Sequence, residues 1–423
     1  MIEDKTASTA RVDGRIYTSA ALLMVMFASM AVLPTVLDEM VRRPFGLSNN
    51  DTSLFYQAGT LASVVLGLFA GLLSDRLGRR VPLIVVGMGL SGLCTILLPH
   101  IPRYEWLLGL RFVDSALGIM AITLLMTRGI DYSDAGNRSR TMGVLMVAIP
   151  AGYIVGPMLV LAIGEGNLGL LFGILGGSQV LGALVIAREW GRHEHVERLS
   201  PTVGEMVQVV ANLPRTWLPM IFSMVDKFSF AAIVLLTPLV LAEASMGSMG
   251  TRGVSAVILA YFMAFALASP VAGRLVARWG ARGTVIVASL LYGGAFVLMG
   301  SAGSLAAMVA LMVACGILTA FQFVPNMTLL GELAGARNRA TVMAVFNTLG
   351  SLALLTGFVV LGRMSDTSIG AAYRLTGYLE IGCGVVGLVV VGIALARKGS
   401  PTVKHRTGKA PEKLVAPAVN GRI

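Results

Sequence analysis

The sequence predicts an all-α membrane protein with twelve transmembrane helices in two pseudo-symmetric six-helix bundles. Three observations carry this. Of the 423 residues, 56% are apolar and 13% charged, against roughly 25% charged in an ordinary soluble domain. The apolar residues gather into runs of about 20, the length that spans a bilayer core. Two loop motifs recur between the halves of the chain, at offsets of 202 and 199 residues. The 50 glycines fit the same class, because small residues let membrane helices approach closely. A soluble enzyme is excluded.

Taken in order, residues 1–15 form a mixed-charge cytoplasmic N-terminus. No small-residue cleavage site follows, so the first span reads as an uncleaved anchor. Spans are expected at 16–37, 52–73, 82–99, 104–130, 141–164 and 168–188, then at 217–241, 253–276, 284–301, 304–330, 340–362 and 372–395. The bundles accordingly cover 16–188 and 217–396, joined by a polar cytoplasmic linker at 189–216. Residues 397–423 form a basic cytoplasmic tail of disordered composition, a contact for anionic lipid or a protein partner.

Positive residues in short loops stay on the cytoplasmic side. With both termini inside, 25 of the 33 Lys and Arg fall on inner segments and 6 on outer loops. This distribution accounts for the net charge of +11 without nucleic acid, since the cations are dispersed and lack aromatic interleaving. A bacterial inner membrane, or a compartment derived from it, follows the same rule. Cys94, Cys315 and Cys383 each sit alone in an apolar run, and His193-Glu194-His195 reads as a solvated loop. No metal site or cofactor is expected. The sequence also lacks a phosphate-binding glycine loop, which points to a gradient rather than ATP as the energy source.

The first repeated motif is Gly71-x-Leu73-Ser74-Asp75-Arg76-x-Gly78-Arg79-Arg80 between spans 2 and 3, echoed by Gly273, Leu275, Arg278, Gly280 and Arg282 between spans 8 and 9. The second is Ala135, Gly136, Arg138 and Arg140, echoed by Ala334, Gly335, Arg337 and Arg339. Glycines permit the tight turn, and Asp75 with the arginines offers charge-assisted contacts. The chain resembles the major facilitator superfamily across its membrane region. That resemblance implies a gating role for Gly71, Asp75, Arg76, Gly78, Arg79 and Arg80, which close the inward side through contacts between the halves. Ala277 replaces the acid in the second copy, so an acidic latch would be asymmetric. In span 5, Gly152-x-x-x-Gly156-Pro157 resembles the antiporter signature of the family's drug and proton exchangers, and joins the gating set. Met158 to Leu161 stand where that signature continues with glycines, which leaves export and import both open.

Counting residues at span ends with the loops, Arg111 and Lys227 are the cations left inside spans. A charge near the bilayer centre is costly unless it faces a cavity or a partner, so both mark candidate sites. Asp114 lies three residues after Arg111, on the same helix face. Leu107-x-x-x-Arg111 resembles a span 4 signature whose Arg serves proton coupling, although Asp114 and Ser115 replace the usual Gln and Gly. Asp226 and Lys227 point about 100° apart on their helix, so each is expected to find a partner on another helix. Gln322 and Asn326 lie one turn apart in span 10. Glu380 has Arg374 as its nearest candidate partner.

By resemblance, spans 1, 4, 7 and 10 line a central cavity. Arg111 and Asp114 are therefore assigned to proton coupling, and Asp226, Lys227, Gln322 and Asn326 to substrate binding. Static ion pairing is the alternative for each charged pair. The expected function is proton-coupled export of a small solute by a monomer that alternates access. Import of an iron complex, sugar acid or amino acid, and a non-transporting sensor or scaffold, stand as alternatives.

Overall fold

The computed structural model describes residues 13–77, 79–132, 138–164, 166–189, 204, 208, 211–243 and 249–399. Helices account for nearly all of them, and no strand occurs among the described residues. The first bundle comprises α1 (Gly14–Leu37), α2 (Asn49–Leu77), α3 (Val81–Leu97), α4 (Tyr104–Asp131), α5 (Arg138–Ile163) and α6 (Leu168–Ala187). The second comprises α7 (Trp217–Ala242), α8 (Thr251–Trp279), α9 (Ala281–Met299), α10 (Leu305–Leu330), α11 (Val345–Ser365) and α12 (Ile369–Gly399). Eleven of these helices are long and apolar enough to cross a membrane among the described residues. The twelfth, α2, has 29 residues.

The helix boundaries follow local chemistry. Asp13 caps α1, its carboxylate accepting from the Arg15 N–H at 2.9 Å. Between α8 and α9 the chain turns at Gly280, where φ is +80°. A side chain is strained in that conformation, which explains the glycine in the repeated loop motif. Its counterpart Gly78 lies outside the described residues, as do the surroundings of Gly71, the side chains of Asp75 and Arg76, and residues 133–137.

The structure corrects one expected loop. The segment carrying Ala334, Gly335, Arg337 and Arg339 is helical, so α10 and α11 are limbs of a single helical run, Leu305–Ser365. Its 61 residues would reach roughly 90 Å if straight. The run instead folds back, since Met308 and Met312 from its first limb share one core with Phe358 and Leu361 from its second.

Packing differs between the two ends of the molecule. Away from the termini, both bundles share one apolar core that contains Val36, Leu37 and Phe55 from the first and Ile258, Phe262 and Phe358 from the second. Toward the termini the core divides. One cluster belongs wholly to the first bundle, with Leu23, Ile84 and Leu125. Two others belong wholly to the second. Among the described residues, the halves share a core at the far side, and each cluster toward the termini is confined to one half.

Candidate functional site

Where the halves meet lies a cavity of about 200 Å³, bordered mainly by the first bundle. Arg111 and Asp114 line it, and both are buried. Arg111 Nη1 donates to Asp114 Oδ2 at 2.7 Å. The other carboxylate oxygen accepts from Ser91 Oγ at 2.7 Å and Thr95 Oγ1 at 3.3 Å, both on α3. The Arg111 guanidinium also sits 5.4 Å from the centre of the Phe55 ring on α2. The pair is thus clamped by α2 and α3 as well as by the helix that carries it.

Gly59 on α2 makes room for this arrangement. A Cβ there would fall 2.6 Å from Ser115 Oγ and 3.0 Å from Arg111 Nε. The long Arg side chain or the helix would have to shift. Gly59→Ala should therefore weaken solute binding roughly tenfold, about 1.4 kcal/mol, read as the half-saturation concentration in a counterflow assay.

Among the described residues, four buried polar atoms around the cavity have no hydrogen-bond partner: Tyr56 Oη, Arg111 Nε, Ser115 Oγ and Gln179 Oε1. Their residues all line it. Unsatisfied buried polar atoms are costly and infrequent, so their convergence on one cavity is informative. They supply donors and an acceptor for a polar solute. Aromatic rings face them across the junction of the halves. Tyr153 stacks on Phe262 at 4.5 Å between ring centres, and Tyr56 on Phe358 at 4.9 Å. The cavity therefore combines an apolar, ring-bearing wall with a small number of directed polar groups.

The other residues expected at the substrate site lie elsewhere. None of Asp226, Lys227, Gln322 or Asn326 is among the residues lining this cavity. Lys227 stands behind its wall, its ammonium 5.7 Å from the centre of the Phe230 ring. Neither Asp226 nor Lys227 forms an ion pair among the described residues. The expectation that each pairs across to another helix is corrected. Spans 1, 4 and 7 do contribute to the lining, but span 10 does not, and spans 2, 3, 5, 6, 8 and 11 do.

Gln322 instead joins a second polar centre inside the second bundle. Its Nε2 donates to Glu380 Oε2 at 3.0 Å. Arg374 does not reach Glu380; it donates to the Gly300 carbonyl at 3.4 Å. Asn326 is buried nearby in sequence on the same limb.

Of the gating residues, Arg80 is buried and bonded to Asp131 at the end of α4, while Arg79 is exposed. Gly152 and Gly156 form the contact between α5 and α1. A Cβ at either would fall 2.6 and 2.5 Å from the carbonyl oxygens of Met24 and Ala28 respectively. Pro157 lies within α5, which continues through it. Gly156→Val should wedge the two helices apart at a cost of about 1–3 kcal/mol, seen as a lower melting temperature in detergent.

Arg128 is a third buried cation that loop counting concealed. It is 1% exposed, donates to Glu189 at 2.7 Å and to Ser19 Oγ at 2.8 Å, and so ties α4 to α1 and the start of the linker. Tyr56, Ser91, Thr95 and Gln179 were also missed by the sequence reading. The only available signal was an uncharged polar residue inside an apolar run, which many structural residues share.

A sequence profile of the Major Facilitator Superfamily matches residues 18–251 and 220–421. No curated protein matches the chain. Among solved structures, it resembles a bacterial homolog to the human lysosomal transporter Spinster. In the inward-facing and unoccupied conformation of that protein the identity is 16% and the TM-score 0.69, covering 90% of this chain and 95% of that one. The inward-facing and occupied conformation gives 15% identity and a TM-score of 0.70, covering 90% and 96%. The nucleoside transporter NupG, in a mutant form, gives 12% identity and a TM-score of 0.71, covering 89% and 99%.

Proposed function

The chain belongs to the major facilitator superfamily, whose fold implies a secondary transporter, and from that premise we propose that it exports a small solute in exchange for protons. The observation that carries this reading is the buried Arg111–Asp114 pair on the wall of a cavity where the two halves meet. A scaffold gains little from a charge pair placed beside four unsatisfied polar atoms.

In the proposed cycle the pair is the coupling element. While Asp114 is ionised it holds Arg111 at 2.7 Å. A proton on Asp114 removes that attraction and frees the guanidinium, whose Nε already lacks a partner, to engage the solute. Gln179, Ser115 and Tyr56 complete the polar contacts, and the Tyr153–Phe262 wall covers the apolar part. Lys227 and Asp226 act at the termini-side approach, where both are partly exposed.

The charge distribution favours the cytoplasm for the termini side, and a core shared at the far side among the described residues supports an inward-open reading. A bacterial inner membrane is the proposed location. Rocking of the halves about the cavity then alternates access.

The test is solute counterflow in proteoliposomes with a panel of small amphipathic solutes, with and without a pH gradient. Asp114→Asn is expected to retain counterflow and to lose gradient-driven accumulation. Accumulation by that variant at the wild-type level would refute the coupling role.

A further inference from the structure

We propose that Glu380 is a second proton-binding site, occupied in this conformation and separate from the Arg111–Asp114 pair. Glu380 lies in the middle of α12 with no solvent exposure. The side chains hydrogen-bonded to its carboxyl are all uncharged. Ser229 Oγ on α7 is 2.7 Å from Oε1, Ser289 Oγ on α9 is 2.8 Å from Oε2, and Gln322 Nε2 on α10 is 3.0 Å from Oε2. No cation forms an ion pair with it among the described residues.

Proton counting distinguishes the two states. Ser229 Oγ is also 3.0 Å from the Val225 carbonyl, and Ser289 Oγ 2.9 Å from the backbone carbonyl of Glu380 itself. Each hydroxyl owns one proton. With an ionised carboxylate, two protons must serve four oxygen–oxygen contacts. A proton on Oε1 resolves the shortage at Ser229. The acid then donates to the serine oxygen, and the serine hydroxyl donates to the Val225 carbonyl. An ionised carboxylate without a counter-cation is also the costlier burial.

A second observation points the same way. Gln322 Oε1 and Asn326 Oδ1, one turn apart, are buried acceptors without a donor among the described residues. Unfilled acceptors beside an acid suit a species that brings hydrogen-bond donors, such as a hydrated proton, and repel an anion.

The titratable and charged groups near Glu380 on each packed helix are few. On α7 they are Asp226 and, next to it, Lys227; on α10, Cys315; on α12 itself, Cys383. Ser289 is the facing group on α9.

The experiment is infrared difference spectroscopy of the full chain in lipid, wild type against Glu380→Gln, through a pH series in potassium buffer. The expected result is a protonated-carboxyl carbonyl band present at neutral pH, absent from the variant, retained in Asp114→Asn and lost at alkaline pH. Absence of that band at neutral pH would overturn the proposal. Its loss when sodium replaces potassium at constant pH would do the same, since the oxygens would then hold a metal cation. If Glu380→Gln does not fold, Ser229→Ala is the second arm. The band should persist and shift as its acceptor is removed; an unshifted spectrum counts against the site. The readout does not depend on transport, so it stands or falls apart from the proposed exchange mechanism.

Discussion

Replacing Arg111 with methionine is expected to destabilise the protein by about 3–5 kcal/mol. The loss comes from the acid left behind. Asp114 is buried, and without the guanidinium at 2.7 Å it retains only the hydroxyls of Ser91 and Thr95. Two hydroxyls do not replace a counter-charge in a low-dielectric setting. Adding Asp114→Asn to Arg111→Met should restore most of the stability, because the double variant buries no charge. Thermal unfolding in one detergent, arranged as a double-mutant cycle, measures the coupling. Additive effects of the two substitutions would show that the pair is not a unit. Restored stability without restored gradient-driven transport would separate the structural role of the pair from its coupling role.

Glu39→Ala should shift the molecule toward the opposite-facing state. Glu39 sits just beyond α1 and bonds across the halves, its Oε2 accepting from Thr251 Oγ1 at 2.5 Å. Its Oε1 accepts from the Gly166 N–H at 2.9 Å. Nearby, Asn49 donates to the Ser365 carbonyl and the Asn50 N–H to Asp366, both at 3.1 Å. Glu39, Asn49 and Asn50 thus link the two halves at the far side. A hydrogen bond to a charged group contributes about 1.5–3 kcal/mol, a shift of roughly 10- to 150-fold in the population ratio. A cysteine at Leu354 on the cavity wall, in a background lacking Cys94, Cys315 and Cys383, reports the change. Glu39→Ala should raise its labelling from the far side at least tenfold. An unchanged rate would show that this contact does not set the equilibrium.

The fold is legible in the sequence because apolar run length and charge placement are local properties. The Arg111–Asp114 contact is legible too, since helical periodicity alone brings residues three apart together. Contacts between helices were less accessible. Arg374 and Glu380 are six positions apart, about 240° around the helix, so the suggested pairing was between residues on different faces. Glu380 instead meets Ser229, Ser289 and Gln322, each from a different helix. Gln179 is a similar case, reaching Ser29 on α1 at 2.7 Å. Arg128 was hidden because a cation at the end of a span looks the same in sequence whether it is solvated or buried. The turn expected after α10 failed for a related reason, as glycine and arginine are compatible with a helical backbone when packing supports it.

The asymmetric core has a consequence for temperature. Opening the far side wets side chains such as Val36, Leu37, Ile258 and Phe358 that are now dry. Hydration of apolar surface raises heat capacity, so the balance between the two facing states acquires a curved temperature dependence. The apolar seal weakens on cooling as its entropic drive fades. The far-side polar latch, including Glu39 with Thr251 and Asn49 with the Ser365 carbonyl, then holds a growing share of the closure, and substitutions there should have their largest effect on the population ratio in the cold.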